Sequence, residues 1–141
     1  MGLILDSSVL IAAERRGDTV AQFLKRVLVA MGNEETALSA VGLVELAHGI
    51  HRANRLEIRS RRAAFIRELL ADVPVYPFTQ GIAFLAGRID GEQQSRGVKI
   101  PFQDLLIGAT ALHLRYAVLT GNPRHFEMIP NLEVKRLSIS L

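Results

Sequence analysis

The chain opens with the stretch Leu3-Ile4-Leu5-Asp6-Ser7-Ser8-Val9-Leu10-Ile11, which predicts a strand joined directly to a helix. Residues 3–5 form a continuous apolar run, and such runs are typical of strands buried in a parallel sheet. Ser7 or Ser8 can cap a helix that begins in this stretch. A strand followed at once by a helix is the repeating unit of α/β folds, so the stretch favours that class.

The alternation of strands and helices continues along the rest of the chain. Short apolar segments predict further strands at residues 36–39, 73–76, 117–119 and 132–137, with helices between them. Three of these helices are predicted to start at Thr19, Ser39 and Thr79. Prolines at 74 and 77 predict that the strand at 73–76 is short and lies at an edge of the sheet. We therefore expect residues 1–141 to form one domain, an α/β/α three-layer sandwich with a central parallel sheet.

The composition of the chain is that of a globular protein. Hydrophobic residues make up 49% of its 141 residues and charged residues 22%. No stretch reaches the roughly 18 apolar residues that a membrane span needs. Cysteine is absent, which excludes disulfides and thiolate metal sites and is typical of a cytoplasmic protein. The net charge of +3 is compatible with a polyanionic partner without specifying one.

Three acids, Asp6, Glu45 and Asp104, each stand alone within an apolar segment. A buried carboxylate is costly unless a positive charge or a hydrogen-bond donor meets it. Asp6 follows the first predicted strand, and Thr120 and Asn122 follow a later one. These side chains are therefore expected at the carboxyl edge of the sheet, where parallel sheets bind ligands. Carboxylates that converge there would form a site for a hard divalent cation such as Mg²⁺.

Each of the three acids also has an ordinary structural explanation. Asp6 can be the N-cap of the first helix, and Asp104 can complement the N-terminal dipole of its helix. Glu45 can belong to the polar face of an amphipathic helix. Taken singly, the three segments leave these alternatives open.

Four segments taken in order resemble the PIN-domain nucleases, and most closely the VapC-type toxins of bacterial toxin–antitoxin pairs. Residues 3–11 resemble the opening strand, aspartate and small polar residues of that family, and residues 39–49 resemble its Ser-to-Glu-Leu-to-Gly helix. Residues 100–111 are similar to its Asp-led apolar helix, and residues 119–132 are similar to its closing turn. The resemblance covers nearly the whole chain and implies the PIN-like fold.

The resemblance implies a metal-dependent endoribonuclease that acts as the toxin of such a pair. Asp6 and Asp104 would then bind Mg²⁺ or Mn²⁺, and Glu45 would position or deprotonate the attacking water. Ser8 or Thr120 would hold a carboxylate in place.

Asn122 departs from the family pattern, because many members carry a fourth acid at this position. An amide offers one neutral oxygen acceptor in place of a charged carboxylate. Asn122 is therefore expected to orient a water on the ion, and metal affinity is expected to be weaker. His125 is expected to be an ordinary turn residue that does not replace the missing acid.

Basic side chains are candidates for contacts with RNA. They are Arg15, Arg52, Arg55, Arg59, Lys99 and Arg124. One helical stripe would contain Arg52, Arg55, Arg59 and Arg62, but only if a helix continues unbroken through Asn54. The alternative for this segment is a solvated face with no ligand.

The resemblance also implies partners. They are an RNA substrate, a small antitoxin protein and a second copy of the chain in a homodimer, with no membrane partner. The competing interpretation is a PIN-like module with weak or no catalysis that binds RNA or a protein, because Asn122 removes a charge from the predicted site.

Overall fold

A computed structural model describes residues 2–138 and contains five parallel strands flanked by helices. The strands are β1 (Gly2–Leu5), β2 (Glu35–Ser39), β3 (Val75–Tyr76), β4 (Ala117–Thr120) and β5 (Val134–Arg136). The helices are α1 (Ser7–Arg16), α2 (Val20–Met31), α3 (Ala40–Arg52), α4 (Leu56–Asp72), α5 (Gln80–Ser95) and α6 (Phe102–Leu114), with a 3₁₀ helix at Phe126–Met128. The predicted α/β class and central parallel sheet are confirmed. No helix within residues 2–138 has the length and apolar character needed to cross a membrane.

The strand order is β3-β2-β1-β4-β5, and every neighbouring pair is parallel. The short strand β3 forms one edge, as predicted. It is shorter than residues 73–76 because Val73 is the C-cap of α4, where its N–H donates to the carbonyl of Leu69. At the centre, the N–H of Asp6 donates to the carbonyl of Leu119 at 2.9 Å, which extends the β1–β4 pairing to the carboxyl ends of both strands.

The two faces of the sheet are covered by different helices. Leu3 and Leu5 pack with Phe23 of α2 in one buried cluster, to which α1 and α4 also contribute. Ile4 points to the opposite face, because successive residues of a strand alternate sides, and it packs with Ile107 of α6. Helix α5 packs on α6. The helices therefore form the outer layers, and the carboxyl ends of β1 and β4 meet at one edge of the middle layer.

Local capping signals set the helix boundaries. Thr19 caps α2 through a capping box with Gln22, and the side chains of Ser39 and Thr79 accept capping hydrogen bonds at the starts of α3 and α5. Gly17 ends α1 in the left-handed conformation, with φ of 87°, which favours glycine. The predicted starts at these three capping residues are confirmed.

The helical segment around Asn54 is interrupted. Helix α3 ends at Arg52 and α4 begins at Leu56. Arg59 Nε donates to the carbonyl of Ala53 at 2.6 Å, which holds the connection between the two helices. The condition for a single stripe of arginines from residue 52 to residue 62 is therefore not met.

Candidate active site

Asp6 lies directly after β1, at the carboxyl end of the central strand. It occupies the N-cap position of α1, but its side chain makes no capping hydrogen bond. Its Oδ2 instead accepts hydrogen bonds from Ser8 Oγ and Thr120 Oγ1, both at 2.8 Å. The prediction that Ser7 or Ser8 caps α1 is wrong, because α1 begins at Ser7 and the hydroxyl of Ser8 turns back to Asp6.

The two hydroxyls that meet Asp6 are fixed by backbone N–H groups. Ser8 Oγ accepts the N–H of Gly121, and Thr120 Oγ1 accepts the N–H of Asn122, both at 3.0 Å. A hydroxyl that accepts one hydrogen bond still has its own proton to donate, and both protons can be directed to Asp6. Oδ2 of Asp6 is therefore held from two sides, and Oδ1 is left for another partner.

Glu45 reaches the same place from α3. Its Oε1 accepts a hydrogen bond from Ser7 Oγ at 3.1 Å. Burial raises the pKa of Glu45 above its ordinary value of 4.5, and the negative charges of Asp6 and Asp104 raise it further, while the bond from Ser7 lowers it. Glu45 therefore faces the other acids, and the polar-face explanation does not account for its position.

Asp104 lies in the first turn of α6, where the helix dipole favours a carboxylate. Its Oδ2 is 2.8 Å from Nδ1 of His125. Burial raises the pKa of Asp104 above its ordinary value of 3.8, the hydrogen bond with His125 lowers it, and the charge of Asp6 raises it. The expectation that His125 is an ordinary turn residue is wrong, because its ring contacts one of the clustered acids.

One pocket of about 620 Å³ brings the predicted acids together, and we call it the acid pocket. Its lining includes Asp6, Glu45, Asp104 and Asn122, which come from four separate segments of the chain. Asn122 is exposed in this pocket, and its side chain adds no charge to the cluster. Three converging carboxylates repel one another, which is why the charge of Asp6 raises the pKa of each of the other two. The pocket therefore favours a cation.

The carboxylate oxygens in the pocket are the donor atoms that Mg²⁺ prefers. One oxygen of each acid has no hydrogen bond within residues 2–138, namely Oδ1 of Asp6, Oε2 of Glu45 and Oδ1 of Asp104. In the same part of the chain, no three His, Cys, Asp or Glu side chains are arranged so that they could hold a metal ion. Mg²⁺ is often bound by one or two carboxylates and keeps several waters. The carboxylates that line the pocket are of the chemical type that binds Mg²⁺ together with water.

The basic residues predicted to contact RNA do not lie together. Arg124 lines the acid pocket. Arg15 and Arg52 line a second cavity, a groove of about 740 Å³ between α1, α3 and α4. Glu45 lines both cavities, so the groove and the acid pocket meet at this side chain.

The remaining predicted cations have other surroundings. Arg55 pairs with Glu57 at 3.1 Å on the exposed surface, and Arg59 is bonded to the connection between α3 and α4. Lys99 is exposed and lines neither of the two cavities. The structure therefore does not bring these three residues to the acid pocket.

Arg62, which the sequence placed on the same possible stripe, has a structural role. Its Nε lies 3.3 Å from Glu14 and its Nη1 donates to the carbonyl of Gly49 at 2.6 Å. Arg61 Nε donates to the same Glu14 at 2.7 Å. The buried carboxylate of Glu14 therefore ties α1 to α4, and Arg62 ties α4 to α3.

Four side chains at the site were not predicted from the sequence to belong to it. They are Ser7, His125, Glu127 and Arg136. Arg136 could have been found, because the predicted strand at 132–137 ends at the carboxyl edge of the sheet. The contact of His125 with Asp104 depends on the path of the chain after β4, which no local sequence pattern specifies.

The chain matches a family of known proteins over most of its length. The family described as "PIN domain" matches residues 3–131. The chain is similar to Ribonuclease VapC1 of Rickettsia felis, with 31% identity over 138 residues, which is 98% of each chain. It is also similar to Ribonuclease VapC of Rickettsia bellii, with 33% identity over 135 residues, which is 95% of each chain.

A solved structure has the same fold. The chain is similar to one in the crystal structure of VapBC2 from Rickettsia felis bound to a DNA fragment from their promoter, with a TM-score of 0.83. The similarity covers 97% of this chain and 99% of that chain at 21% identity. At this identity the likeness shows the fold, and it confirms the PIN-like arrangement predicted from the sequence.

Proposed function

The chain belongs to the PIN-domain family, in which it matches VapC ribonucleases over nearly its whole length, and we propose that it is a metal-dependent endoribonuclease. In this proposal it hydrolyses RNA phosphodiester bonds as the toxin of a toxin–antitoxin pair. The observation that carries the proposal is the convergence of Asp6, Glu45 and Asp104 in one pocket at the carboxyl edge of the sheet.

Asp6 and Asp104 are the proposed ligands of Mg²⁺ or Mn²⁺. Each has one carboxylate oxygen without a hydrogen bond within residues 2–138, and the charge of Asp6 acts on Asp104. When bound, the ion would neutralise charge on the phosphate and make a nearby water more acidic. Ser8 and Thr120 would keep Asp6 oriented through their bonds to Oδ2.

Glu45 is the proposed acceptor of a proton from the attacking water. Its Oε1 is occupied by the hydroxyl of Ser7, so Oε2 is the atom available to accept the proton. A pKa raised above the ordinary value makes a carboxylate a better base near neutral pH. The exposed amide of Asn122 would orient a water in the same pocket.

The proposed protein partner is a small antitoxin. The groove between α1, α3 and α4 offers apolar surface, including the exposed Val44, and shares Glu45 with the acid pocket. A partner segment lying in this groove would bury apolar surface and cover the acids at the same time. The homodimer stays a prediction. Phe84 and Phe102, on the packed helices α5 and α6, are 71% and 67% exposed and offer apolar surface for such a contact.

A second candidate function is a binding module with weak or no catalysis. Two observations favour it: Asn122 is uncharged, and residues 2–138 hold no three-residue group able to hold a metal ion. Calorimetric titration of the protein with Mn²⁺ separates the two candidates. The endoribonuclease proposal predicts that the wild type takes up the ion, that Asp6→Asn does not, and that the exposed control Asp72→Asn does. Absence of uptake, or uptake unaffected by Asp6→Asn, would favour the binding module.

A further inference from the structure

The acid pocket contains two cations, Arg124 and Arg136. Arg124 lies on the segment after β4, and Arg136 is the last residue of β5. In the β4–β5 pairing Arg136 is the partner of Thr120, whose hydroxyl bonds to Asp6. Arg136 therefore rises from the same edge of the sheet as Asp6, on the side of the pocket formed by the last strand.

Both arginines are exposed, and neither forms an ion pair with an acid within residues 2–138. Both arginines are unpaired in this part of the chain although acids line the same pocket. By contrast, Arg61 and Arg62 are paired with Glu14. The two guanidinium groups in the pocket are therefore not engaged in holding the fold together.

Three of the acids that line the pocket come from the end of β1, from α3 and from α6. The fourth, Glu127, lies like Arg124 on the segment after β4, and Arg136 comes from β5. Strand β5 lies two strands from β1, which corresponds to roughly 10 Å at the usual spacing of neighbouring strands. The backbone of Arg136 therefore lies to one side of the acids, and its side chain lines the same pocket.

We propose that Arg136, together with Arg124, binds a phosphate of the RNA strand adjacent to the phosphate that is cleaved. The planar guanidinium presents paired N–H donors that match two phosphate oxygens. With the scissile phosphate beside the acids, a neighbouring phosphate on the β5 side of the pocket would lie next to Arg136 and Arg124. This inference rests on the proposed function, since it assigns the position of the same substrate.

Arg136→Gln and Arg124→Gln test the proposal, with Arg88→Gln as the matched control. Arg88 is exposed on α5 and lines neither cavity. With a short single-stranded RNA as substrate, each pocket variant is expected to raise KM by about tenfold while kcat changes little, because the lost contact is made before and during the reaction. The control is expected to keep the KM of the wild type.

Equilibrium binding gives a readout that does not depend on cleavage. RNA affinity is measured by fluorescence anisotropy at several salt concentrations in the Asp104→Asn background. Removing each arginine is expected to reduce the slope of log K against log salt concentration by about 0.7. An unchanged slope, or an equal reduction in Arg88→Gln, would overturn the proposal even if the wild type cleaves RNA. A reduced slope in a protein that never cleaves RNA would support the arginine contact while removing the proposed enzymatic function.

Discussion

His125 Nδ1 lies 2.8 Å from Asp104 Oδ2, so a ring from the segment after β4 contacts the carboxylate at the start of α6. The contact uses one oxygen of Asp104 and leaves Oδ1 without a hydrogen bond within residues 2–138. Groups that bond to a ligating carboxylate or ring set its orientation in metal sites. The geometry therefore implies that His125 orients the carboxylate of Asp104, the proposed metal ligand.

The His125 contact predicts a loss of metal affinity when the ring is removed. His125→Ala is expected to weaken Mn²⁺ binding by about 10-fold or more, because Asp104 loses the partner that orients it. His125→Asn should retain most of the affinity, since its amide N–H can take the place of the Nδ1 donor. Calorimetric titration with Mn²⁺ measures both. Equal losses in the two variants would contradict a positioning role.

The raised pKa of Glu45 predicts how stability depends on pH. The folded protein holds a proton on Glu45 more tightly than the unfolded chain does, so metal-free wild type loses stability as pH rises from 4.5 through the raised value. Glu45→Gln has no such charge, and its stability relative to the wild type should increase over that interval. Urea unfolding with a chelator at a series of pH values measures this. Parallel pH profiles for the two proteins would refute it, and the exposed Glu68→Gln serves as control.

Restoring a fourth acid should strengthen metal binding. Asn122→Asp adds a carboxylate to the pocket that already contains Asp6 and Asp104, and is expected to raise Mn²⁺ affinity by about tenfold, because affinity rises with the charge of the ligands. The exposed Asn33→Asp adds the same charge between α2 and β2 and should leave the affinity unchanged. Titration calorimetry compares the two. An unchanged or lower affinity in Asn122→Asp would mean that this position does not contribute to the cation site.

The buried carboxylate of Glu14 predicts a change in stability without a change in the site. Glu14→Gln leaves Arg61 and Arg62 without their ionic partner and is expected to lower the free energy of unfolding by about 2 kcal/mol, less than for a fully buried pair because Arg61 is exposed. The control Glu57→Gln removes an exposed pair with Arg55 and should change stability little. Urea unfolding distinguishes them, and equal effects would contradict the structural role of Glu14.

Local patterns were sufficient to predict most of the fold. The apolar run before Asp6 predicted the central strand, and Thr19, Ser39 and Thr79 predicted helix starts that the structure contains. These features depend on residues that are close in the sequence, and each has a physical cause in burial or in unpaired backbone N–H groups. The edge position of β3 was predicted from the prolines at 74 and 77, because proline has no backbone N–H to donate to a neighbouring strand.

Contacts between distant segments could not be predicted in this way. The hydroxyl of Ser7 meets Glu45, and the ring of His125 meets Asp104, only because the sheet edge and the segment after β4 bring them together. The possible arginine stripe required an unbroken helix through Asn54. The helix is interrupted there, and the interruption separates Arg52 from Arg59. Side-chain partners at the site are therefore set by tertiary geometry that the local sequence leaves open.

In the proposed function, RNA cleavage depends on an ion that Asp6 and Asp104 hold. The most direct test is the initial rate of single-stranded RNA cleavage by purified protein across a range of Mg²⁺ or Mn²⁺ concentrations, for the wild type and for Asp6→Asn. We expect no cleavage with a chelator, a rate that rises with the ion in the wild type, and a loss of about a thousandfold or more in the variant. Cleavage that persists in the chelator, or that is undiminished in Asp6→Asn, would contradict a role of Asp6 in metal-dependent cleavage.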